Sequence, residues 1–362
     1  MSPWVAFLLT LSIIIVVHEL GHFLMARAVG VKVERFSLGF GPQLLRVTRG
    51  GTEYALSLFP FGGYVKMAGE ATEIEEGPKK PWEYRARSVW ERFSIVLAGP
   101  LINYLTGFGL FVLIFCVGAP VLSTKIGQVM EGYPAAQAGL QSGDRILSIN
   151  GKPMESWEDV TQSIHSQTGL VGLTVEREGK PFTLTLQPQL KEVTNLIGQK
   201  VRVSMVGITP SDEVESRRYP FSQAVFKAAQ RIWTLTSLTL QALWRMLTGG
   251  LSIKESVTGP IGIFYLTSSV AKQGLISLLQ LIAILSTSLG LFNLLPVPVL
   301  DGGHLLFLFL ERVKGRPVSI RAQDLMTRVG LGLLALLLVV VTYNDLVKFK
   351  IADRLFSFLA GD

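Results

Sequence analysis

Two histidines four residues apart stand in the run Val16-Val17-His18-Glu19-Leu20-Gly21-His22-Phe23, with a carboxylate directly after the first. On an α-helix, residues i and i+4 share a face, so both imidazoles can hold one divalent ion. Glu19 points about 100° round the helix from His18, close enough to act as a base on water that the metal has acidified. The pattern therefore points to metal-assisted hydrolysis. Its setting is unusual, because the run lies inside the apolar stretch 4–26. Polar groups in such a stretch are costly and mark a function or a partner.

A catalytic zinc takes three protein ligands and keeps one position open. His18 and His22 supply two. The favoured third is Asp301, in the run Asn293-Leu294-Leu295-Pro296-Val297-Pro298-Val299-Leu300-Asp301-Gly302-Gly303-His304. Pro296 and Pro298 each remove a backbone donor, so the chain must kink or unwind here. Unwound backbone at membrane depth occurs where it lines a site. Charge also favours the aspartate. Zinc with two neutral imidazoles and one carboxylate keeps a single positive charge, and Glu19 brings the cluster near neutrality. A neutral cluster is far cheaper to hold at low dielectric than a bare dication. His304 is the rival, as a further ligand or as a partner to one. Glu34 and Glu311 stand in more solvent-facing sequence.

The elements that must position these groups are those of a membrane protein. Apolar residues make up 49% of the 362 and charged residues only 17%, below the roughly 25% usual in soluble chains. The net charge of +7 suits an anionic membrane surface, and no motif supports nucleic-acid binding. Cys116 stands alone, so no internal disulfide is available.

Residues 4–26 are long enough to cross a bilayer. No basic segment precedes them and no small-x-small site follows, so they read as a span rather than a cleaved leader. Arg27, Lys32, Arg35, Arg46 and Arg49 follow, which places this end inside and the N-terminus outside. Residues 31–67 alternate like strands. Leu44–Val47 and Tyr54–Phe59 flank a turn at Arg49-Gly50-Gly51-Thr52, and Pro60 with Gly62-Gly63 is expected to end the second strand. This apolar β region either re-enters the membrane under shelter or forms a plain cytoplasmic hairpin. Residues 70–91 read as a charged loop, and 93–117 as the second span. Residues 1–118 thus form an N-terminal membrane half.

From 119 to 211 the composition becomes that of a soluble domain. Gly143-Asp144-Arg145-Ile146-Leu147-Ser148-Ile149-Asn150-Gly151, a helix over Trp157–His165 and strands over Gly172–Arg177 and Phe182–Gln187 resemble one PDZ domain of the bacterial protease type. Such domains take an extended peptide as an added strand. Asp144 is expected to orient a turn. Residues 212–274 read as amphipathic interfacial helices, with Arg231, Trp233, Trp244 and Arg245 suited to a membrane surface. Residues 275–362 form the C-terminal membrane half, with a third span over 275–300, a cytoplasmic loop carrying Arg312, Lys314, Arg316 and Arg321, and a fourth span over about 328–347. The fold class is a polytopic α-helical membrane protein with four spans, a membrane-associated β-hairpin and one inserted PDZ domain. Both termini and the PDZ domain face outward.

Val17-His18-Glu19-Leu20-Gly21-His22, the Gly39–Pro42 run, Gly99-Pro100-x-x-Asn103, the PDZ stretch and Asn293-x-x-Pro296-x-x-x-x-Asp301-Gly302 occur in one order. In these motifs, over nearly the whole chain, the protein resembles the site-2 protease family, most closely its bacterial RseP-type (regulator of sigma-E protease) branch. The resemblance implies an intramembrane zinc endopeptidase of the bacterial inner membrane. It implies single-span membrane substrates, such as anti-sigma factors trimmed on the outer side, and remnant signal peptides. It implies zinc held by His18, His22 and Asp301, with Glu19 catalytic. It also implies contact of Asn293 with the substrate backbone or the developing oxyanion, against a plain capping role for that residue. Asn103 reads as a brace between spans. The β region becomes the expected platform for an unwound substrate strand. One departure is visible: enterobacterial members carry two tandem PDZ domains and this chain one. The competing reading is a membrane-anchored PDZ binding module whose metal site is inactive or structural.

Overall fold

The structure, a computed structural model, describes residues 2–70, 80–195, 197–252 and 256–349. The expected charged loop at 71–79 and the C-terminal segment 350–362 lie outside the described residues. The chain forms two compact units, one comprising Met1–Leu113, Val225–Thr239 and Ile253–Asp362, the other Ile114–Ala224 and Leu240–Ser252.

The first unit begins with helix α1 (Pro3–Ala28), which Ser2 caps by accepting the Val5 N–H at 3.3 Å, with Pro3 in the first turn. A cap of this kind is worth about 1 kcal/mol, and proline fits there because that position needs no N–H. Strands β1 (Val33–Arg49) and β2 (Thr52–Met67) follow. Gly50 and Gly51, at φ 60° and 78°, supply the two left-handed positions that a tight hairpin turn needs.

The hairpin does not stop at Pro60, as the sequence predicts, but continues to Met67. The reason is that β1 serves two partners. Its second half, Gln43–Arg49, pairs with Thr52–Ser57. Its first half pairs with the end of β2, Phe36 with Val65 and Leu38 with Gly63, in the antiparallel sense. Residues 35–38 also pair with 53–56, the two sets of numbers rising together. Gly39 and Gly41, at φ 88° and 86°, allow β1 to bend between its two halves. The ribbon therefore curls into a small sheet rather than an extended hairpin.

Helix α2 (Val89–Val117) starts with a capping box: Ser88 N–H donates to Glu91 Oε2 at 2.8 Å, and Glu91 N–H donates to Ser88 Oγ at 3.3 Å. Pro100 lies inside it.

The second unit is built from β3 (Ala119–Leu122), β4 (Ile126–Val129), α3 (Pro134–Gln137), β5 (Arg145–Ile149), β6 (Lys152–Pro153), α4 (Trp157–His165), β7 (Val171–Arg177), β8 (Lys180–Leu186), β9 (Gln189–Thr194), β10 (Lys200–Met205), β11 (Ile208–Pro210) and β12 (Val214–Arg217). Its main sheet has the order β6-β5-β7-β8, and β12 pairs with β3, so pairing extends past residue 211. Alternate residues of β7 (Val171, Leu173 and Val175) bury against Ile146 of β5 and against Val160 and Ile164 of α4. Asp144 accepts the Gln141 N–H at 2.8 Å and both arms of Arg177, so it orients this turn as expected.

The remaining helices are α5 (Phe221–Leu247), α6 (Pro260–Lys272), α7 (Leu275–Asn293), α8 (Asp301–Lys314) and α9 (Ile320–Lys348). α5 is amphipathic and exposes Trp233 and Trp244. Asp345 of α9 is buried and accepts the N–H groups of Gly259 and Gly262 at 3.3 and 2.8 Å, which caps α6. The expected third span, 275–300, is shorter as a helix. α7 ends at Asn293, before Pro296 and Pro298, and a new helix begins at Asp301 where the sequence predicts a loop. Gly315, at φ 69°, ends α8 in the left-handed conformation. Among the described residues, four helices, α1, α2, α7 and α9, are long and apolar enough to cross a membrane.

Candidate active site

His18 and His22 lie one turn apart on α1, with their Nε2 atoms 3.2 Å from each other. Asp301, the first residue of α8, brings Oδ2 to 3.1 Å from Nε2 of His18 and 3.5 Å from Nε2 of His22. Among the described residues these three form a group whose potential ligand atoms all lie within 4.8 Å of one another.

The group fits a zinc ion. Ligands about 2.0–2.1 Å from a tetrahedral metal stand about 3.3 Å apart, and the three observed separations bracket that value. Ring chemistry agrees. The Ile95 carbonyl can only accept, so Nδ1 of His22, 2.9 Å away, donates to it. The lone pair of His22 is thereby left on Nε2, facing the cluster. Oδ2 of Asp301 is buried and receives no hydrogen bond. A carboxylate oxygen in that condition is costly unless a cation stands beside it. Two nitrogens and one carboxylate oxygen form a donor set suited to zinc.

Three helices set this geometry by close approach. Gly21 of α1 sits against the Ala98 carbonyl, and Gly99 of α2 sits against the His22 ring; a Cβ at either would collide. Gly290 of α7 packs on the Pro100 carbonyl, where a Cβ would fall at 2.8 Å. Small residues at such crossings let helix backbones approach. After α7 ends, Gly302 and Gly303 lie directly on the carbonyls of Leu294, Leu295 and Val297, so the unwound segment folds back tightly to present Asp301.

Glu19 faces the sheet. Gly63 of β2 leaves room for its side chain, since a Cβ there would lie 3.0 Å from Cγ. Asn293, the last residue of α7, places Nδ2 3.4 Å from Nε2 of His18. The structure thus brings His18, His22, Asp301, Glu19 and Asn293 together. His304, the rival ligand, is exposed, with its ring edge-on to Phe307, and is not in the cluster. Glu34 pairs with Lys66 at 3.0 Å. Glu311 of α8 makes a two-armed pair with Arg92 of α2, at 2.5 and 3.2 Å.

Some contributors are silent in the sequence. The Ile95 carbonyl carries no side-chain signature at all. Gly99 was visible only as part of Gly99-Pro100. Asn103, expected as a brace, lies wholly buried with its amide 3.2 Å from Nδ1 of His18. It braces as well, since its backbone carbonyl accepts Ser286 Oγ of α7 at 3.0 Å.

The chain resembles known proteases over nearly its whole length. The chain is 36% identical to a protein of Rhizobium meliloti (strain 1021) whose name provisionally assigns it as a zinc metalloprotease, over 94% of this chain and 95% of that one. It is 32% identical to the protease RseP of Yersinia pestis, over 94% and 97%. It is 30% identical to the regulator of sigma-E protease RseP of Escherichia coli (strain K12), again over 94% and 97%. The alignment with the Escherichia coli protein runs to 443 positions, which exceeds the 362 residues of this chain by 81. Among solved structures, the PDZ domain of an SdrC-like protein from Listeria monocytogenes shares 23% identity, covering 25% of this chain and 88% of that one; the TM-score of 0.21 is too low for the fold to rest on it. The model of peptidase family M50 matches residues 6–337. With the family's model matched across almost its whole length and relatives above 30% identity over nearly all of it, the chain belongs to peptidase family M50.

Proposed function

We propose that this protein cleaves peptide bonds inside the membrane segments of single-span proteins, with zinc held by His18, His22 and Asp301. As a family member it is a zinc-dependent metalloendopeptidase of the site-2 type. The observation that carries the reading is the convergence of the two Nε2 atoms and Asp301 Oδ2 inside a bundle of apolar helices.

Bound zinc supplies a Lewis acid that acidifies water and polarises a carbonyl. The rest falls to the chain. Glu19, seated against Gly63, takes the proton from water and delivers it to the departing amine. Asn293, whose Nδ2 lies 3.4 Å from Nε2 of His18, stands close enough to the cluster to donate its amide N–H to the carbonyl oxygen as negative charge develops there. The curled β1–β2 sheet offers unpaired strand edge to an unwound substrate, because a helical substrate hides its amide bonds.

The apolar helices and the RseP relatives fit a multi-pass protein of the bacterial inner membrane. Arg27, Lys32, Arg35, Arg46 and Arg49 put the end of α1 bearing the site on the cytoplasmic side. The N-terminus, the C-terminus and the 119–211 domain then face outward. That domain acts as a single PDZ module that excludes bulky ectodomains or binds a newly cut C-terminus. Anti-sigma-factor-like proteins and remnant signal peptides are the substrate class.

The test is cleavage of a single-span substrate in reconstituted vesicles. Wild-type protein cleaves, a chelator abolishes cleavage, and added zinc restores it. Glu19→Gln retains zinc and loses activity by about 10²–10⁴-fold. Undiminished cleavage by zinc-loaded Glu19→Gln would remove Glu19 from the base role. A zinc-loaded wild type that binds single-span proteins but cuts none would favour the PDZ binding module instead.

A further inference from the structure

We infer that Asn103 is a positioning residue that sets the tautomer of His18, presenting its amide oxygen to the ring when zinc is held. The inference rests on the zinc reading above. Asn103 is wholly buried in α2, and its Nδ2 lies 3.2 Å from Nδ1 of His18. Its Oδ1 is buried with no partner.

A neutral imidazole carries one N–H. If Nδ1 of His18 accepts from the amide, the ring proton sits on Nε2, and Nε2 has no lone pair for a metal. Yet Nε2 is the atom that faces Asp301 Oδ2 and the His22 ring. The two conditions exclude each other. A half-turn of the Asn103 amide exchanges Oδ1 and Nδ2 in almost the same space. Oδ1 then accepts the Nδ1–H, and Nε2 is free to ligate. The exchange leaves one amide atom unpartnered either way, so the ring's need for a free Nε2 decides it.

His22 already has the matching arrangement, through the Ile95 carbonyl. Ile95, Gly99 and Asn103 are spaced i, i+4, i+8, so they form one ridge of α2. That ridge meets both rings: a carbonyl accepts from His22, a glycine clears space for it, and the Asn103 amide lies against Nδ1 of His18, where its oxygen accepts once exchanged. An oxygen acceptor behind a ligating histidine fixes the tautomer and raises ligand basicity.

The test uses the full-length protein in detergent. Histidine-selective ¹⁵N NMR of zinc-loaded wild type is expected to show His18 protonated at Nδ1. Zinc affinity, from competition with a chromophoric chelator, is expected to fall about 10–100-fold in Asn103→Leu. Asn103→Asp accepts but cannot donate, and it is expected to match or exceed wild-type affinity. A His18 proton on Nε2 in the zinc-loaded protein would overturn the inference, and so would an Asp variant as weak as the Leu variant. The tautomer is read on wild type, so no variant has to fold. A wild type that takes up no zinc at all is a separate outcome, which overturns the zinc reading itself.

Discussion

The imidazole of His22 rests on Gly99 so closely that a Cβ there would fall within 2.9 Å of Nε2, Cε1 and Cδ2. A ligand pressed against a helix in this way has no freedom to retreat. Gly99→Ala therefore has to move either the ring or α2, and it is expected to weaken zinc binding. A displacement near 1 Å costs on the order of 10²-fold in activity. Zinc content and cleavage measured together check this, and an alanine variant with both intact would show that the helices part freely.

Asp301 and His304 differ in placement, since only Asp301 reaches the two Nε2 atoms. Asp301→Ala is expected to lose bound zinc after dialysis, whereas His304→Ala keeps it. Metal analysis of the two purified variants separates them, and unchanged zinc in Asp301→Ala would remove it from the ligand set.

Arg92 and Glu311 join α2 to α8 through two hydrogen bonds at 2.5 and 3.2 Å, with both side chains largely out of solvent. Hydrogen bonds between charged groups contribute about 1.5–3 kcal/mol. Arg92→Met is expected to cost stability in that range, because it strands the Glu311 carboxylate. Arg92→Met with Glu311→Leu should recover most of the loss, since two apolar groups replace both partners. Thermal unfolding in detergent checks both, and a double variant no better than the single would refute the pairing argument.

Asp144 is buried, which alone would raise its pKa, but the Arg177 guanidinium and the Gln141 N–H outweigh burial and hold it below its ordinary value. For a carboxylate lowered on folding, the stabilisation is fully present above the unfolded value of about 3.9. It is lost as pH falls through the lower folded value. Asp144→Asn is thus expected to cost about 1.5–3 kcal/mol at pH 7, with the gap to wild type closing only in acid below about pH 4. Unfolding curves at pH 7 and pH 3 check the sign, and a gap that widened on acidification would contradict it.

Much of the site was legible along the chain. His18, Glu19 and His22 needed only helical periodicity, and Asp301 followed from the proline-broken backbone and from charge. Both prolines told correctly that the third apolar segment breaks, although the break comes earlier than expected, at Asn293, and the chain resumes as a helix at Asp301. Helix α8 was hidden because its charged residues Glu311, Arg312 and Lys314 gather at one end and mimic a loop. The curl of the β region was hidden too. A strand that bends and takes partners on both edges leaves no period in the sequence, so Pro60 looked like an end.

Local sequence thus determined which residue types were available and which helices were apolar, because side-chain chemistry and the 3.6-residue period are properties of the chain itself. Only the tertiary structure decided how the candidate metal ligands are held. The Ile95 carbonyl, the missing Cβ of Gly99 and the amide of Asn103 act through contacts with residues more than seventy positions away. A backbone carbonyl has no residue type, and an absent methyl group becomes visible only when another helix fills its space.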